Sequence, residues 1–149
     1  MINSNMRSAG HEKNVDIAIR HVKAMMMNWG FREGSSFVYG VLITSREPLS
    51  AKEISEKTNY AYSSTINYLN TLIRMGLVER VRIIRKNLYV ADVNFVEMIK
   101  TEREKIKGYL NQLGSALEEI KDLEYLGEKV ESAIAYLKNV ENAVDKKVV

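Results

Sequence analysis

The sequence predicts a mainly helical α+β fold, in which several helices are followed by one β-hairpin and then by more helix. Three observations support this prediction. Apolar residues recur every three or four positions over most of the chain, and two segments after Gly76 alternate apolar with polar residues. The 149 residues are also 46% hydrophobic, which is enough for one compact core or for a small domain with a helical appendage.

The first two helices are predicted from helical spacing and from end signals. Apolar residues recur from Val15 onward, and Gly30 suits the end of that helix. The preceding residues 1–12 are polar and unpatterned, so we interpret them as a flexible tail. A second helix should be capped by Ser35 or Ser36 and should stop before the single proline of the chain.

The start of the third helix has the strongest local signal in the chain. Ser50 and Glu53 form an S-x-x-E capping box, in which each side chain bonds a free backbone N–H of the first turn. Leu49 and Ile54 flank it at the spacing of a hydrophobic staple. Asn59 tolerates positive φ better than other non-glycine residues, so a tight turn to the next helix is predicted there.

The stretch "AYSSTINYLNTLIRMG" predicts a fourth helix with one apolar and one polar side. At about 100° per residue, the positions that cluster near Leu69 form a core stripe. These positions are Thr65, Ile66, Leu72 and Ile73. The polar side carries Ser64, Asn67, Thr71 and Arg74. Because Ala61 has no capping hydroxyl, the helix is expected to start at Ser63, and Gly76 should end it.

A β-hairpin with a basic tip is predicted next. "LVERVRI" alternates, with Val81 and Ile83 on one face and Arg80 and Arg82 on the other, "IRKN" forms a turn without glycine, and "LYVADV" returns. The net charge of the chain is only +3, but its basic residues concentrate here. Between positions 74 and 86, Glu79 is opposed by Arg74, Arg80, Arg82, Arg85 and Lys86.

Helical spacing returns from Phe95 to the end of the chain. A single helix of this length would expose its apolar stripe, so a break near residues 122–127 is expected, although the sequence leaves open one bent helix or two. We expect the stripe to pair within the chain and with a second chain. The candidate dimerisation residues are Phe95, Met98, Ile99, Ile106, Leu110, Leu113, Leu117, Val130, Ile134 and Leu137.

This order of elements is the winged helix-turn-helix arrangement, here with long C-terminal dimerisation helices. The segments "EPLSAKEISEK", "LNTLIRMGLVERV" and "FVEMIKTEREKIK" closely resemble the MarR-like transcriptional regulators, especially their GbsR-type branch. The resemblance covers residues 15–145 and implies a homodimeric, DNA-binding regulator, with repression as the expected output. The expected organisation is a flexible tail at 1–12, a winged helix-turn-helix domain at 13–93 and a helical dimerisation region at 94–149.

Contact with double-stranded DNA is predicted for the fourth helix and the hairpin. Residues 60–75 contain no Asp or Glu, as a surface that approaches phosphates requires. Asn67 is the predicted base reader, since an amide pairs bidentately with adenine. The other candidates contact bases or phosphates: Tyr62, Ser63, Ser64, Tyr68 and Thr71 on the helix, and Arg82, Arg85 and Lys86 on the hairpin. A two-fold dimer predicts a pseudo-palindromic operator.

Two competing hypotheses keep the same fold. The first is a protein-interaction module that never binds DNA, whose docking face should show exposed apolar anchors. The second is an architectural DNA-binding protein with weak sequence preference. The resemblance also implies a small-molecule effector, for which the sequence offers two weak candidates. These are a pocket lined by Met25–Met27 and Trp29, and an aromatic cage made by Trp29, Phe31, Phe37 and Tyr39.

Catalysis and cofactor binding are not expected. The chain has no cysteine, its two histidines lack an acidic cluster at metal-ligand spacing, and it has no glycine-rich phosphate loop. No metal site and no cofactor are therefore predicted. The chain has neither a long apolar run nor a signal segment, so no membrane contact and a cytoplasmic location are expected.

Overall fold

The computed structural model describes residues 4–145, which divide into two compact units at Val93 and Asn94. The first unit contains α1 (Ser4–Asn28), α2 (Glu33–Ile43), β1 (Leu49–Ser50), α3 (Ala51–Thr58), α4 (Tyr62–Arg74), β2 (Val78–Ile83) and β3 (Lys86–Ala91). The second unit contains α5 (Phe95–Leu117), a short 3-10 helix (Lys121–Leu123) and α6 (Glu124–Asp145). The predicted fold class, mainly helical with a small antiparallel sheet, is confirmed.

Helix α1 ends as predicted but begins earlier. It starts at Ser4 rather than Val15, so residues 4–12 of the expected tail are helical, because a polar stretch without proline can extend a helix that packing stabilises further along. At the other end Gly30 adopts φ +97°, with its N–H donating to Met27 O and the Phe31 N–H donating to Met26 O. This is the Schellman arrangement, which satisfies carbonyls of the last turn.

Helix α2 runs through the centre of the first unit, and its predicted cap was wrong. The N-cap is Arg32, without a side-chain cap, and Ser35 and Ser36 are buried inside the helix. The Ser36 hydroxyl instead donates to Arg32 O at 2.8 Å. The helix stops at Ile43, before the proline, as predicted.

Helix α3 confirms the local signals of its sequence. Ser50 Oγ accepts from the Glu53 N–H at 3.2 Å, and Glu53 Oε1 accepts from the Ser50 N–H at 3.2 Å. Leu49 and Ile54, the expected staple pair, are both buried. Asn59 closes the helix in the left-handed region at φ 63°, which leads the chain directly into α4.

Helix α4 begins at Tyr62, with Ala61 at the N-cap, so the expected start at Ser63 was wrong. The Thr65 hydroxyl donates to Ala61 O at 3.0 Å within the first turn. The predicted core stripe is confirmed at Thr65, Leu69 and Leu72, which are each 0% exposed. Its other two members, Ile66 and Ile73, are half-buried. Gly76 at φ +75° ends the helix in a second Schellman arrangement.

The predicted hairpin is present, and a third strand joins it. The strand order is β1-β3-β2, with Leu49 opposite Tyr89 on the side that the hairpin leaves free. A two-residue strand is too short to leave an alternating pattern, so the sequence did not reveal it. Ile84 and Arg85 form the turn with φ of 45° and 64°, the positive values of a type I′ turn, which glycine or asparagine normally occupies.

The second unit is an antiparallel pair of helices. The α5 helix ends at Leu117 and α6 starts at Glu124, so two helices form and the break lies slightly ahead of residues 122–127. Lys107 on α5 reaches Glu141 on α6 at 3.2 Å. Within residues 4–145, every helix is too short or too polar to span a bilayer.

The ten candidate dimerisation residues differ in exposure. Leu117 and Val130 are buried within the chain, so their side chains are not available to a second copy. Met98, Leu110, Ile134 and Leu137 are half-buried. The exposed members, all on α5, are Phe95, Ile99, Ile106 and Leu113.

Candidate nucleic-acid interface

The outward side of α4 carries most of the predicted contact residues. Ser63 and Asn67 are exposed, and Ser64 and Thr71 are half-buried beside them. Tyr62, which the helical wheel placed near the buried side, is 59% exposed because it occupies the first position of the helix, beyond the packed turns. These side chains therefore lie on an accessible polar surface.

Asn67 is the polar group of this surface that is most available to a ligand. Its side-chain amide forms no hydrogen bond with the other described residues, whereas its backbone carbonyl accepts from the Thr71 hydroxyl at 3.1 Å. Thr71 in turn accepts from Arg74 Nη2 at 3.2 Å. The Thr71 hydroxyl is thus engaged within the helix, while the Asn67 amide keeps both its donor and its acceptor.

Tyr68 lies apart from the other candidates. Its ring packs against α2 at Gly34, where an added Cβ would overlap the Tyr68 ring atoms. The ring also meets Tyr60 edge to face at 5.3 Å between centroids. Tyr68 therefore anchors α4 to α2.

The hairpin, or wing, turns its arginine face toward α4. Val78 and Tyr89 on this face are buried, and Arg80 lies opposite Tyr89 in the register, with its guanidinium carbon 5.9 Å from the ring centroid. The Arg80 guanidinium also donates through Nη2 to Asn70 Oδ1 at 3.1 Å. The hydrogen bond brings the polar side of α4 and the cationic face of the wing together on one surface.

The remaining basic residues of the wing lie toward its tip. Arg82 donates to the cross-strand neighbour Asn87 at 3.3 Å. Arg85 occupies the turn and Lys86 begins β3, and both side chains are exposed. All three predicted wing residues are thus accessible to a polyanion.

Asn70 was not among the predicted contact residues, and Arg80 was predicted only as a member of the basic cluster on the hairpin. Asn70 falls between the apolar and polar sides of the helical wheel, so spacing alone assigned it to neither. Arg80 shares a strand face with Arg82, which was the available signal. Their pairing depends on how α4 and β2 pack, which the sequence pattern does not contain.

The two weak ligand-site hypotheses of the sequence are not supported by the packing. Met26 is fully buried, as is Tyr39, whose hydroxyl donates to Asp92 O at 3.1 Å. The Phe37 ring is already covered by the Lys23 ammonium, 5.2 Å from its centroid. The four aromatic residues therefore do not form a cage around an open centre.

An ion pair between Lys23 and Glu33 lies beside the Phe37 ring. Lys23 Nζ lies 2.7 Å from Glu33 Oε1, and this hydrogen-bonded cation lowers the pKa of the Glu33 carboxyl. Burial raises the pKa of the nearby Tyr60 hydroxyl. Across the described residues, no three His, Asp or Glu side chains gather where they could hold a metal ion.

The fold and this surface define a winged helix-turn-helix domain. Residues 40–82, from within α2 to within β2, match the IclR helix-turn-helix domain. No curated protein matches the chain.

Solved structures are similar over a longer span. A crystal structure of a transcriptional regulator is 14% identical, with a TM-score of 0.65 over 90% of this chain and 95% of that one. A MarR family protein from Bacillus stearothermophilus is 18% identical over 100% of both chains, with a TM-score of 0.41. A MarR family regulator from Rhodococcus sp. RHA1 is 14% identical over 92% of this chain and 97% of that one, with a TM-score of 0.44. The first of these likenesses establishes the fold.

Proposed function

We propose that the chain is a sequence-specific, double-stranded DNA-binding transcriptional regulator that acts as a homodimer. One observation carries the proposal: the acid-free, polar side of α4 and the arginine face of the wing lie on a single surface, joined by the Arg80–Asn70 hydrogen bond. A helix that presents amides and hydroxyls between cationic groups matches the chemistry of a major groove flanked by phosphates.

In this proposal α4 enters the major groove and the wing rests on the flanking backbone. The free Asn67 amide pairs with an adenine through one donor and one acceptor. Ser63, Ser64 and Tyr62 contact bases or phosphates near the start of the helix. Arg82, Arg85 and Lys86 bind phosphates or enter the minor groove, so the affinity falls as salt rises.

The homodimer is proposed from the unpaired stripe of α5. Ile99, Ile106 and Leu113 recur every seven residues and are 58%, 50% and 41% exposed. A second copy presents the same stripe, and a two-fold axis between copies matches a pseudo-palindromic operator. Membership of the GbsR-type branch, a repressor output, a small-molecule effector and a cytoplasmic location belong to the same proposal.

The test is a binding titration against the upstream region of the protein's own gene at two salt concentrations. We expect Asn67→Ala to reduce the preference for the specific site over random duplex, because a base contact is lost. We expect Arg85→Ala to weaken binding to every duplex and to flatten the salt dependence. Arg20→Ala, an equal charge change on α1, is the control and should leave both quantities near the wild-type values.

A protein-interaction role remains the second candidate, and one observation favours it. The wing face opposite the arginines exposes apolar side chains, with Ile83 46% and Val90 37% exposed, and Ile84 at the turn is 91% exposed. These are the apolar anchors expected of a docking face. Duplex affinity that neither Asn67→Ala nor Arg85→Ala changes would support this role and overturn the proposed regulator.

A further inference from the structure

Arg80 is held at the junction of α4 and β2 by two contacts of different kinds. Its guanidinium lies over the ring of Tyr89, which is only 3% exposed and therefore forms a fixed base. Its Nη2 donates to Asn70 Oδ1 at 3.1 Å. A guanidinium that lies over a ring on one side and is hydrogen-bonded on another has lost part of its rotational freedom before any ligand arrives.

The partner that orients Arg80 is neutral. Among the described residues, Arg80 forms no ion pair with a carboxylate, and the Asn70 amide occupies one of its five N–H donors. An Asp or Glu in this place would hold the guanidinium equally well but would cancel its charge. The junction therefore contains an oriented and uncompensated cation with free donors.

Arg82, the next residue on the same face of β2, is also hydrogen-bonded to an amide side chain. Its Nη1 donates to Asn87 Oδ1 at 3.3 Å, again a neutral amide. Residues two apart on a strand are separated by about 6.8 Å, a spacing similar to that of consecutive phosphates on one nucleic-acid strand. Two arginines whose Cα atoms are this far apart on one strand face, each hydrogen-bonded to an amide, suit a continuous phosphodiester backbone better than a single small anion.

We propose that the junction of α4 and the wing is a phosphate-binding site, in which Arg80 binds one backbone phosphate of a DNA strand and Arg82 binds the next. Asn70 is a positioning residue of this site. Its Oδ1 is committed to Arg80, so it cannot pair bidentately with adenine as the free Asn67 amide can. The inference rests on the proposed function, and it places phosphate binding beside the recognition helix, at Arg80.

The first test compares Arg80→Ala with Arg20→Ala in the full-length protein, using the specific duplex and a random duplex of equal length. We expect Arg80→Ala to weaken both complexes about 10–100-fold, as for the loss of a charged hydrogen bond. The slope of log affinity against log salt should fall by about 0.9, the loss of one phosphate contact. Equal behaviour of the two variants would overturn the site.

The second test separates positioning from base reading. Asn70→Ala leaves the charge of Arg80 in place, so affinity should fall about three- to tenfold with an unchanged salt slope and an unchanged preference between duplexes. Asn70→Asp adds a carboxylate beside Arg80, so both the affinity and the slope should approach those of Arg80→Ala. A change of sequence preference in Asn70→Ala would show that Asn70 reads a base and would overturn its positioning role.

A third variant shows whether Arg80→Ala weakens binding through the lost charge or through a disturbed local fold. Arg80→Met retains an apolar stem on the Tyr89 ring without the charge, and it should reproduce the salt slope of Arg80→Ala with a wild-type unfolding midpoint. A wild-type slope in this variant would contradict phosphate binding by Arg80. Failure of the wild-type protein to bind either duplex is a separate outcome, which would overturn the proposed function itself.

Discussion

The two units of the chain bury their apolar residues to very different extents. In the first unit, side chains from four helices meet in one core, where Met26, Val38, Ile54 and Leu69 are each 0% exposed. In the described part of the second unit, Leu117 and Val130 are the buried side chains. The first unit thus contains its own core, whereas the helix pair leaves most of its apolar surface in solvent.

Polar contacts compensate only partly in the helix pair. Glu141 on α6 lies 3.7 Å from Arg103 Nε and 3.2 Å from Lys107 Nζ, so one carboxylate is shared by two cations. These ion pairs are largely buried, and the cost of removing both charges from water offsets much of their attraction. The difference between the units teaches that the proposed recognition surface lies on a unit with its own core, whereas the helix pair exposes apolar side chains that the proposed second copy would cover.

The largest expected effect concerns the exposed apolar stripe of the helix pair. A charge placed within the exposed stripe of α5 by Ile106→Glu should convert the proposed dimer to a monomer, because the carboxylate would have to be buried without a partner. Sedimentation velocity measures the change. The control is Gln112→Glu, which adds the same charge to an exposed position of α5 outside the stripe. A monomeric wild-type protein, or a dimer that Ile106→Glu leaves intact, would contradict the proposed interface.

The next effect compares one glycine from each unit. Gly34→Ala should destabilise the protein by about 1–3 kcal/mol, because its Cβ would overlap the Tyr68 ring in a packed interior. Gly108 has no atom within 4 Å of an added Cβ, so Gly108→Ala should stabilise α5 by up to about 1 kcal/mol. Denaturant unfolding followed by circular dichroism measures both.

A second substitution identifies the cause of the Gly34 effect. Tyr68→Leu removes the atoms that the new methyl group would strike, so Gly34→Ala should cost much less in that background. Additive effects of the two substitutions would show that Gly34 is required for another reason.

A smaller effect tests the local signal that starts α3. Ser50→Ala removes the acceptor for the Glu53 N–H and should lower the free energy of unfolding by about 1 kcal/mol. Ser115→Ala, at an exposed position inside α5, is the matched control, and it should be neutral or slightly stabilising because alanine has the higher helix propensity. An equal loss of stability in both variants would argue against a capping role.

The smallest expected effect concerns the hydrogen bond between α2 and the end of β3. Tyr39→Phe removes the donor to Asp92 O and should cost about 0.5–1.5 kcal/mol at neutral pH. Burial, with a smaller contribution from Asp92, raises the pKa of Tyr39 above its ordinary value of 10.0. The stability from this raised pKa is therefore full below pH 10 and is lost as pH rises through the folded-state value.

A pH series of unfolding free energies provides the measurement. The wild-type protein should lose stability more steeply than Tyr39→Phe in the alkaline range, because its unfolded chain releases the Tyr39 proton at a lower pH than the folded protein does. Parallel curves for the two proteins would show that the Tyr39 hydroxyl has the same pKa in the folded and unfolded states.

Local signals in the sequence predicted several of the helix ends. The capping box at Ser50, the left-handed turn at Asn59 and the glycines that end α1 and α4 all appear as expected. Each of these signals acts through a few neighbouring residues and depends little on the rest of the chain. The errors occurred where packing competes with such preferences, as at Ser36, whose hydroxyl is buried inside α2.

By itself, therefore, the sequence determined the helices, the hairpin and the acid-free polar side of α4. Only the tertiary structure decided which face of the wing meets α4, because an alternating strand defines two faces and does not say which one packs. Because Val78 and Tyr89 are buried, the strand face that carries the arginines faces α4, and Arg80 reaches Asn70. The tertiary structure also decided which apolar residues of α5 are exposed, because their exposure depends on which neighbouring residues cover them.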